Sequence, residues 1–341
     1  MKYKLKKILE KTLSTFQKAT RLNVVIHDYG YDEIGYPDAF MRIAYDDVEL
    51  DFAVEVKLGI TRATIGVVAQ EFFSFQEKGL LVTRYVNPRI AELLREMDIP
   101  FIDTVGNAYI NQPPLYIFIK GNKLAVEPRP EQIQRAFRPA GLQVLYVLLC
   151  NPGIENEPLR EIAKAADAAL GTVNRVMKEL KRMGYLAEMG RRGRRLVGKD
   201  NILKRWVIAY PEQLRPKLFR GRFRAINYDW WKDIYIKEFD AYWGGEVAAA
   251  FLTKYLRPEV VTIYTKKPIG KLVLKNKLKK DPDGNVEILN LFWNFKLNTF
   301  NNDLVHPILV YADLMATGDY RNIETAGMIY DTEIVRFIRE D

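Results

Sequence analysis

A single cysteine, two histidines and no long apolar run bound this 341-residue chain before any motif is sought. Cys150 has no second thiol to pair with, so an internal disulfide is excluded and a reducing compartment, the cytoplasm, is expected. Together with His27 and His306 it is too little to build a His/Cys zinc site. Cys150 ends an apolar helical stretch with Leu142, Leu145, Leu148 and Leu149, where packing is its expected role. No apolar segment approaches the ~18–20 residues of a membrane span. The basic start, Met1 to Lys7, lacks the apolar core of a secretion signal. There is no Gly-Ser pair to introduce a nucleotidyltransferase site, and Gly270-Lys271 lacks the upstream glycine and following Ser/Thr of a phosphate-binding loop.

What is abundant is positive charge, in one place. Arg129 to Arg224 carries 21 Lys and Arg against 9 Asp and Glu, a balance of +12. The whole chain is +9, which leaves −3 for everything else. The length allows two or three domains with sizeable cores. The expected boundaries are 1–127, 128–224 and 225–341, in an α/β and α+β multidomain chain with a central winged helix-turn-helix.

That central element runs from Leu159 to Val197. Pro158 opens a helix in which Leu159, Ile162, Ala163 and Ala166 recur at helical spacing. Asp167 to Gly171 is expected to turn. A second helix follows from about Thr172, with Val173, Val176, Met177, Leu180 and Met183 inward, and Gly184 as its stop. Its other side carries Asn174, Arg175, Lys178 and Lys181. Tyr185 to Met189 and Arg194 to Val197 read as strands around a Gly190–Gly193 turn. This layout fits a helix entering a DNA major groove and a hairpin gripping the backbone. Thr172, Asn174, Arg175 and Lys178 are the candidates for base edges, Asn suiting adenine and Arg or Lys guanine. Arg191, Arg192, Arg194 and Arg195 are the candidates for phosphates or the minor groove. The plainer alternative is a helical interaction module with a solvated basic face. Four arginines around two glycines favour the polyanion, because in a merely structural hairpin they would repel one another.

Upstream, a helix over 3–18 is followed by strands at 23–28, 40–45 and 50–57, then a helix over 62–77, a strand at 80–86, a helix over 88–97 and strands at 100–103 and 115–120. That order predicts a mixed sheet flanked by helices. In the third strand Phe52, Val54 and Val56 alternate with Asp51, Ala53, Glu55 and Lys57, so period two places Asp51, Glu55 and Lys57 on one face. Pro37-Asp38 precedes Glu55-Val56-Lys57 by sixteen residues. This constellation resembles the restriction-endonuclease-like PD-(D/E)xK fold. The resemblance implies Mg²⁺ held by Asp38 and Glu55, with Lys57 as the catalytic cation. Glu-x-Lys is common in a chain with 28% charged residues, and Glu179-Leu180-Lys181 repeats it. Gln70 stands where some relatives carry a glutamine, but position 74 is Ser74 rather than the accompanying aromatic. Asp103 to Tyr109, with its Gly106-Asn107 turn, reads as structural.

Beyond the hairpin, 204–224 is basic with interspersed aromatics, which would either stack on bases or pack as a linker. The last region is aromatic-rich, with Gly244-Gly245 before a helix, where paired glycines either cradle phosphate or serve close packing. Strands are expected at 260–264, 272–274 and 286–292, and helices over 307–317 and 323–339. It reads as a binding or dimerisation region, which allows a homodimer.

Taken together, Glu55-Val56-Lys57, the segments 79–96 and 101–110, the winged helix and 306–326 resemble the AbiEi-type antitoxin and transcriptional-regulator family of type IV toxin–antitoxin systems. That resemblance implies a sequence-specific DNA-binding autorepressor whose partners are double-stranded DNA and a nucleotidyltransferase-like toxin, with no cofactor required for DNA binding. Typical members begin with the winged helix, whereas here an endonuclease-like region precedes it. The alternative reading is a Mg²⁺-dependent nuclease that the winged helix targets, and a third is an antitoxin that binds protein alone. If the basic segment engages ~6 phosphates, duplex affinity should fall on the order of a thousandfold between low and physiological salt, as a retardation titration over salt would read.

Overall fold

The computed structural model describes residues 3–29, 36–46, 48–72, 75, 77–124, 135–296 and 303–338. Ser74, and Gly30, Gly35 and Asp47 in the gaps between the first three expected strands, lie outside them. The chain forms two compact units, Met1–Arg129 and Pro130–Asp341.

The first unit is a seven-stranded mixed sheet with its strands in sequence order. Helix α1 (Tyr3–Thr20) leads into β1 (Asn23–Tyr29), β2 (Ala39–Tyr45) and β3 (Val48–Lys57), paired antiparallel. Helix α2 (Arg62–Phe72) crosses to β4 (Lys78–Thr83), parallel to β3, and α3 (Pro88–Glu96) crosses to β5 (Phe101–Asp103), parallel to β4. Strands β6 (Ala108–Gln112) and β7 (Leu115–Ile119) complete it antiparallel. Parallel neighbours need a crossover, and the two helices supply it. Leu9, Leu13 and Phe16 of α1 cover one face, packing with Phe52, Val54, Val56, Leu80 and Val82. Period two turns Ala53 and Gly79 to the other face, where a Cβ on Gly79 would fall 2.2 Å from the Phe72 ring of α2. The expected helix over 62–77 does not extend to Phe75, and the Phe72 side chain seats on the sheet. Asp103 ends β5 fully buried. Its carboxylate accepts the N–H groups of Val86, Val105 and Asn107 and the Asn107 side-chain amide, at 2.7–2.9 Å. Those four bonds give it a structural task.

In the second unit α4 (Pro139–Cys150), α5 (Leu159–Ala165), α6 (Leu170–Arg182) and the short antiparallel ladder of β8 (Leu186–Glu188) and β9 (Arg194–Leu196) come first. Helices α7 (Lys199–Ala209) and α8 (Arg215–Leu218) follow, then β10 (Phe219–Arg224), β11 (Ala241–Gly244), α9 (Gly245–Thr253), β12 (Val261–Thr265), α10 (Gly270–Lys275), β13 (Lys279–Lys280) and β14 (Val286–Asn290). The strands form a sheet in the order β11-β12-β14-β10-β13, and α11 (Pro307–Thr317) and α12 (Tyr320–Ile329) close the unit. Two expectations are corrected. The stretch 272–274 is not a strand but part of α10, with Leu272 buried; three apolar residues are too few to fix a period. Residues 204–224 are not a linker: they form α7, α8 and an interior strand of the sheet, burying Trp206, Tyr210 and Phe223. Base stacking by those three rings is thereby excluded.

The segments expected as 128–224 and 225–341 share a core. Trp206 stacks between Tyr146 of α4 (5.7 Å) and Tyr210 (4.9 Å), and its indole N–H donates to the Leu142 carbonyl at 2.8 Å. Tyr146 also meets Phe292 and Trp293, which follow β14. Asn294 then donates its backbone N–H to the Ala165 carbonyl (2.8 Å) and its side-chain amide to Lys164 (3.1 Å), satisfying carbonyls at the open end of α5. Lys266 binds Asp167 at 2.8 Å. Buried Asp313 of α11 accepts hydrogen bonds from Tyr210, Tyr264 and Arg215, and Arg215 also pairs with Glu287 at 2.6 Å. Gly244 and Gly245 serve close packing, since a Cβ would fall 2.5 Å from the Tyr264 ring and 2.7 Å from the Thr262 hydroxyl. Cys150 is buried, and burial pushes its thiol well above the ordinary range, which suits packing and not nucleophilic attack. Buried His306 accepts the Ile308 N–H through Nδ1 at 3.2 Å, and burial pushes it down to about 4, so it is neutral near pH 7. No helix among the described residues is long and apolar enough to cross a membrane. Trp206→Ala should cost the second unit about 3–5 kcal/mol in denaturant unfolding, the range for emptying a buried indole site.

Candidate nucleic-acid interface and carboxylate cluster

Helix α5 buries Ile162, Ala163 and Ala165, and the chain turns at Asp167, whose φ of 49° is left-handed. Asp tolerates that conformation because its short polar side chain bonds locally. Helix α6 begins at Leu170, two residues before the expected start. It buries Val173, Val176, Met177 and Leu180 and leaves Asn174, Arg175 and Lys178 exposed. Thr172 is half-buried, on the shoulder of the helix rather than its outward face. Arg175 lies back along the helix, its Nε donating to the Gly171 carbonyl at 3.0 Å. A shallow, open groove separates the starts of the two helices, lined by Pro158, Leu159, Arg160, Leu170, Gly171 and Asn174.

The hairpin is set by glycine. Gly190 and Gly193 have φ of 60° and 80°, and Met189 donates to the Gly193 carbonyl at 2.7 Å. Gly193 is also needed for space, since a Cβ there would fall 2.2 Å from Asn156 Oδ1. Asn156 clamps the returning strand, accepting the Arg194 N–H (2.6 Å) and donating to the Arg194 carbonyl (2.9 Å). The Arg194 guanidinium donates to the backbone carbonyl of Glu157 at 2.9 Å. Arg191 and Arg195 are exposed, and the Arg192 side chain lies outside the described residues. Lys181 and Glu188, paired at 2.7 Å, link α6 to β8.

In the first unit β3 brings Glu55 and Lys57 together, and α2 adds Glu71, which sequence reasoning missed. Lys57 Nζ lies 2.5 Å from Glu55 Oε1 and 2.9 Å from Glu71 Oε2. Asp38, just before β2, accepts the Val56 N–H at 2.8 Å, which places its carboxylate against the same strand. Burial raises Asp38 above the ordinary carboxylate range. Burial also lifts Glu55 to about 7 against the pull of Lys57, with Glu71 and Asp38 adding to the rise. The two carboxylates hold Lys57 charged despite its burial. Asp51, expected on the same face, sits further along the strand at the surface, bidentate with Arg42 at 2.7 and 2.8 Å. Among the described residues no three His, Cys, Asp or Glu side chains form a ready-made metal cage.

A carboxyl whose pKa is higher folded than unfolded favours the folded state below its unfolded pKa. That contribution fades as pH rises through the folded value. The Glu55 contribution is therefore present near pH 4.5 and lost through about 7. Glu55→Gln should flatten the fall in thermal stability across that window relative to the unaltered chain.

Residues 195–335 match the model of a family described as transcriptional regulator, AbiEi antitoxin, type IV TA system. The match takes in the end of the hairpin and the sheet and helices beyond it, and α5 and α6 precede it. No curated protein and no solved structure matches the chain.

Proposed function

We propose that this chain is a sequence-specific DNA-binding transcriptional regulator of the antitoxin kind, and that α5, α6 and the β8–β9 hairpin work as a winged helix-turn-helix. The observation that carries the reading is the outward face of α6. Asn174, Arg175 and Lys178 stand exposed on it, beside a hairpin with Arg191 and Arg195 exposed. Asn174 suits an adenine edge and Arg175 or Lys178 a guanine edge, while the hairpin arginines meet phosphate or enter the minor groove. Thr172, half-buried on the shoulder of the helix, is the fourth candidate for a base edge. The family description of 195–335 supports regulation within a toxin–antitoxin pair. The protein partner in this reading would be a nucleotidyltransferase-like toxin. Arg175→Ala should cost about 1–3 kcal/mol on one preferred sequence and relax specificity there. Replacing Arg191 and Arg195 with Ala should weaken all duplexes alike and lower the salt slope by about one per lost phosphate contact. Retardation unchanged in both variants, on any duplex, would sink the reading.

A second reading is favoured by the gathering of Asp38, Glu55, Lys57 and Glu71 at one end of a mixed sheet: a PD-(D/E)xK-type domain that cleaves DNA and is targeted by the winged helix. Carboxylate oxygens suit Mg²⁺, which is held through one or two carboxylates and water rather than an all-protein cage. Asp38 and Glu55 would hold it, and the ion would supply Lewis-acid stabilisation of a phosphodiester under attack. Lys57 would offset charge at the phosphate once its bonds to Glu55 and Glu71 yield. Incubation of plasmid with the protein and Mg²⁺, beside Glu55→Ala, tests this. Nicking that disappears in the variant supports the nuclease; intact plasmid in both leaves the regulator alone.

A further inference from the structure

We infer that Leu170, with Leu159 across the groove, forms a seat for the C5-methyl group of thymine, so that α6 selects a thymine beside the base read by Asn174. This rests on the DNA-binding reading above. Leu170 is the first residue of α6 and is 54% exposed. It heads the row Leu170, Asn174 and Lys178, spaced by four and hence stacked along one line of the helix surface. A lone exposed leucine is ordinary, but this one has company. Pro158 and Leu159 face it across the groove, Arg160 and Asn174 stand at the rim, and Gly171 leaves the space beside it open. The result is an apolar floor edged by an amide and one cation.

The surface that complements this is polyanionic at its margins and apolar at one point. A T·A pair in the major groove has that character, with phosphates flanking and the thymine methyl as the apolar point. C·G pairs lack the methyl group. Asn174, one turn further along α6, suits the N6/N7 edge of adenine, so the row reads a thymine and an adenine together. Burying one methyl group corresponds to about a fourfold change in affinity.

Duplexes recovered by the whole chain from a random pool are resynthesised with deoxyuridine in place of thymine, which removes only the methyl group. The unaltered protein should lose about fourfold in affinity for each thymine contacted. Leu170→Ala should bind the thymine duplex at that reduced affinity and treat thymine and uracil alike. Leu274→Ala, which truncates a leucine 80% exposed on α10, should discriminate as the unaltered protein does. Equal binding of both duplexes by the unaltered protein, or discrimination that survives in Leu170→Ala, overturns this inference while DNA binding stands. Failure of the unaltered protein to retain any duplex overturns the DNA-binding reading itself.

Discussion

The second unit depends on one stack of aromatic rings. Trp206 lies between Tyr146 and Tyr210, and the rings come from helices on either side of the hairpin. Offset stacking adds to what burial alone supplies, and the indole N–H finds a backbone carbonyl, so the polar edge of the ring is satisfied as well. Phe292 and Trp293 extend the cluster toward the sheet. The small helices α5 and α6 are too short to be stable in isolation. They stand because α4 carries them on this core.

Beside the stack a buried charge is matched by its neighbours. Asp313 is buried, yet two tyrosine hydroxyls and the Arg215 guanidinium reach it, and Arg215 is shared with Glu287. Such a network is costly to break at one member, because the remaining charge is left without a partner in low dielectric. The first unit solves the same problem differently. Lys57 stands between Glu55 and Glu71, and the backbone of β3 holds Asp38 beside them. Burial is why Glu55 titrates near neutrality, and the surplus of negative charge left by three carboxylates around one ammonium adds to the rise.

Local periodicity made much of this legible. Alternation in Val48–Lys57 placed Glu55 and Lys57 on one face of a strand, and the spacing of Val173, Val176, Met177 and Leu180 fixed the inward side of α6. Gly190 and Gly193 marked the hairpin because only glycine sits easily at their positive φ. What could not be read depended on tertiary placement. Glu71 is fourteen residues from Lys57, and their meeting depends on how α2 lies over the sheet. Trp206 and Tyr210, four apart, form an inward helical row that basic neighbours disguised as a nucleic-acid surface. Leu272 to Leu274 offered too short a pattern to tell helix from strand, and nearby Pro268 and Gly270 obscured it further.

The link from Asn294 to the end of α5 has its own consequence. The carbonyls of Lys164 and Ala165 are closed by a residue that follows β14, and Lys266, just beyond β12, holds Asp167 in the bend between α5 and α6. Opening that bend therefore means parting it from the sheet as well as unwinding one helical turn. Backbone protons of residues 164–168 will accordingly exchange with solvent at the pace of the larger body's excursions, slower than a surface helix of seven residues would allow. The joint between the two helices inherits its rigidity from strands more than ninety residues further along the chain.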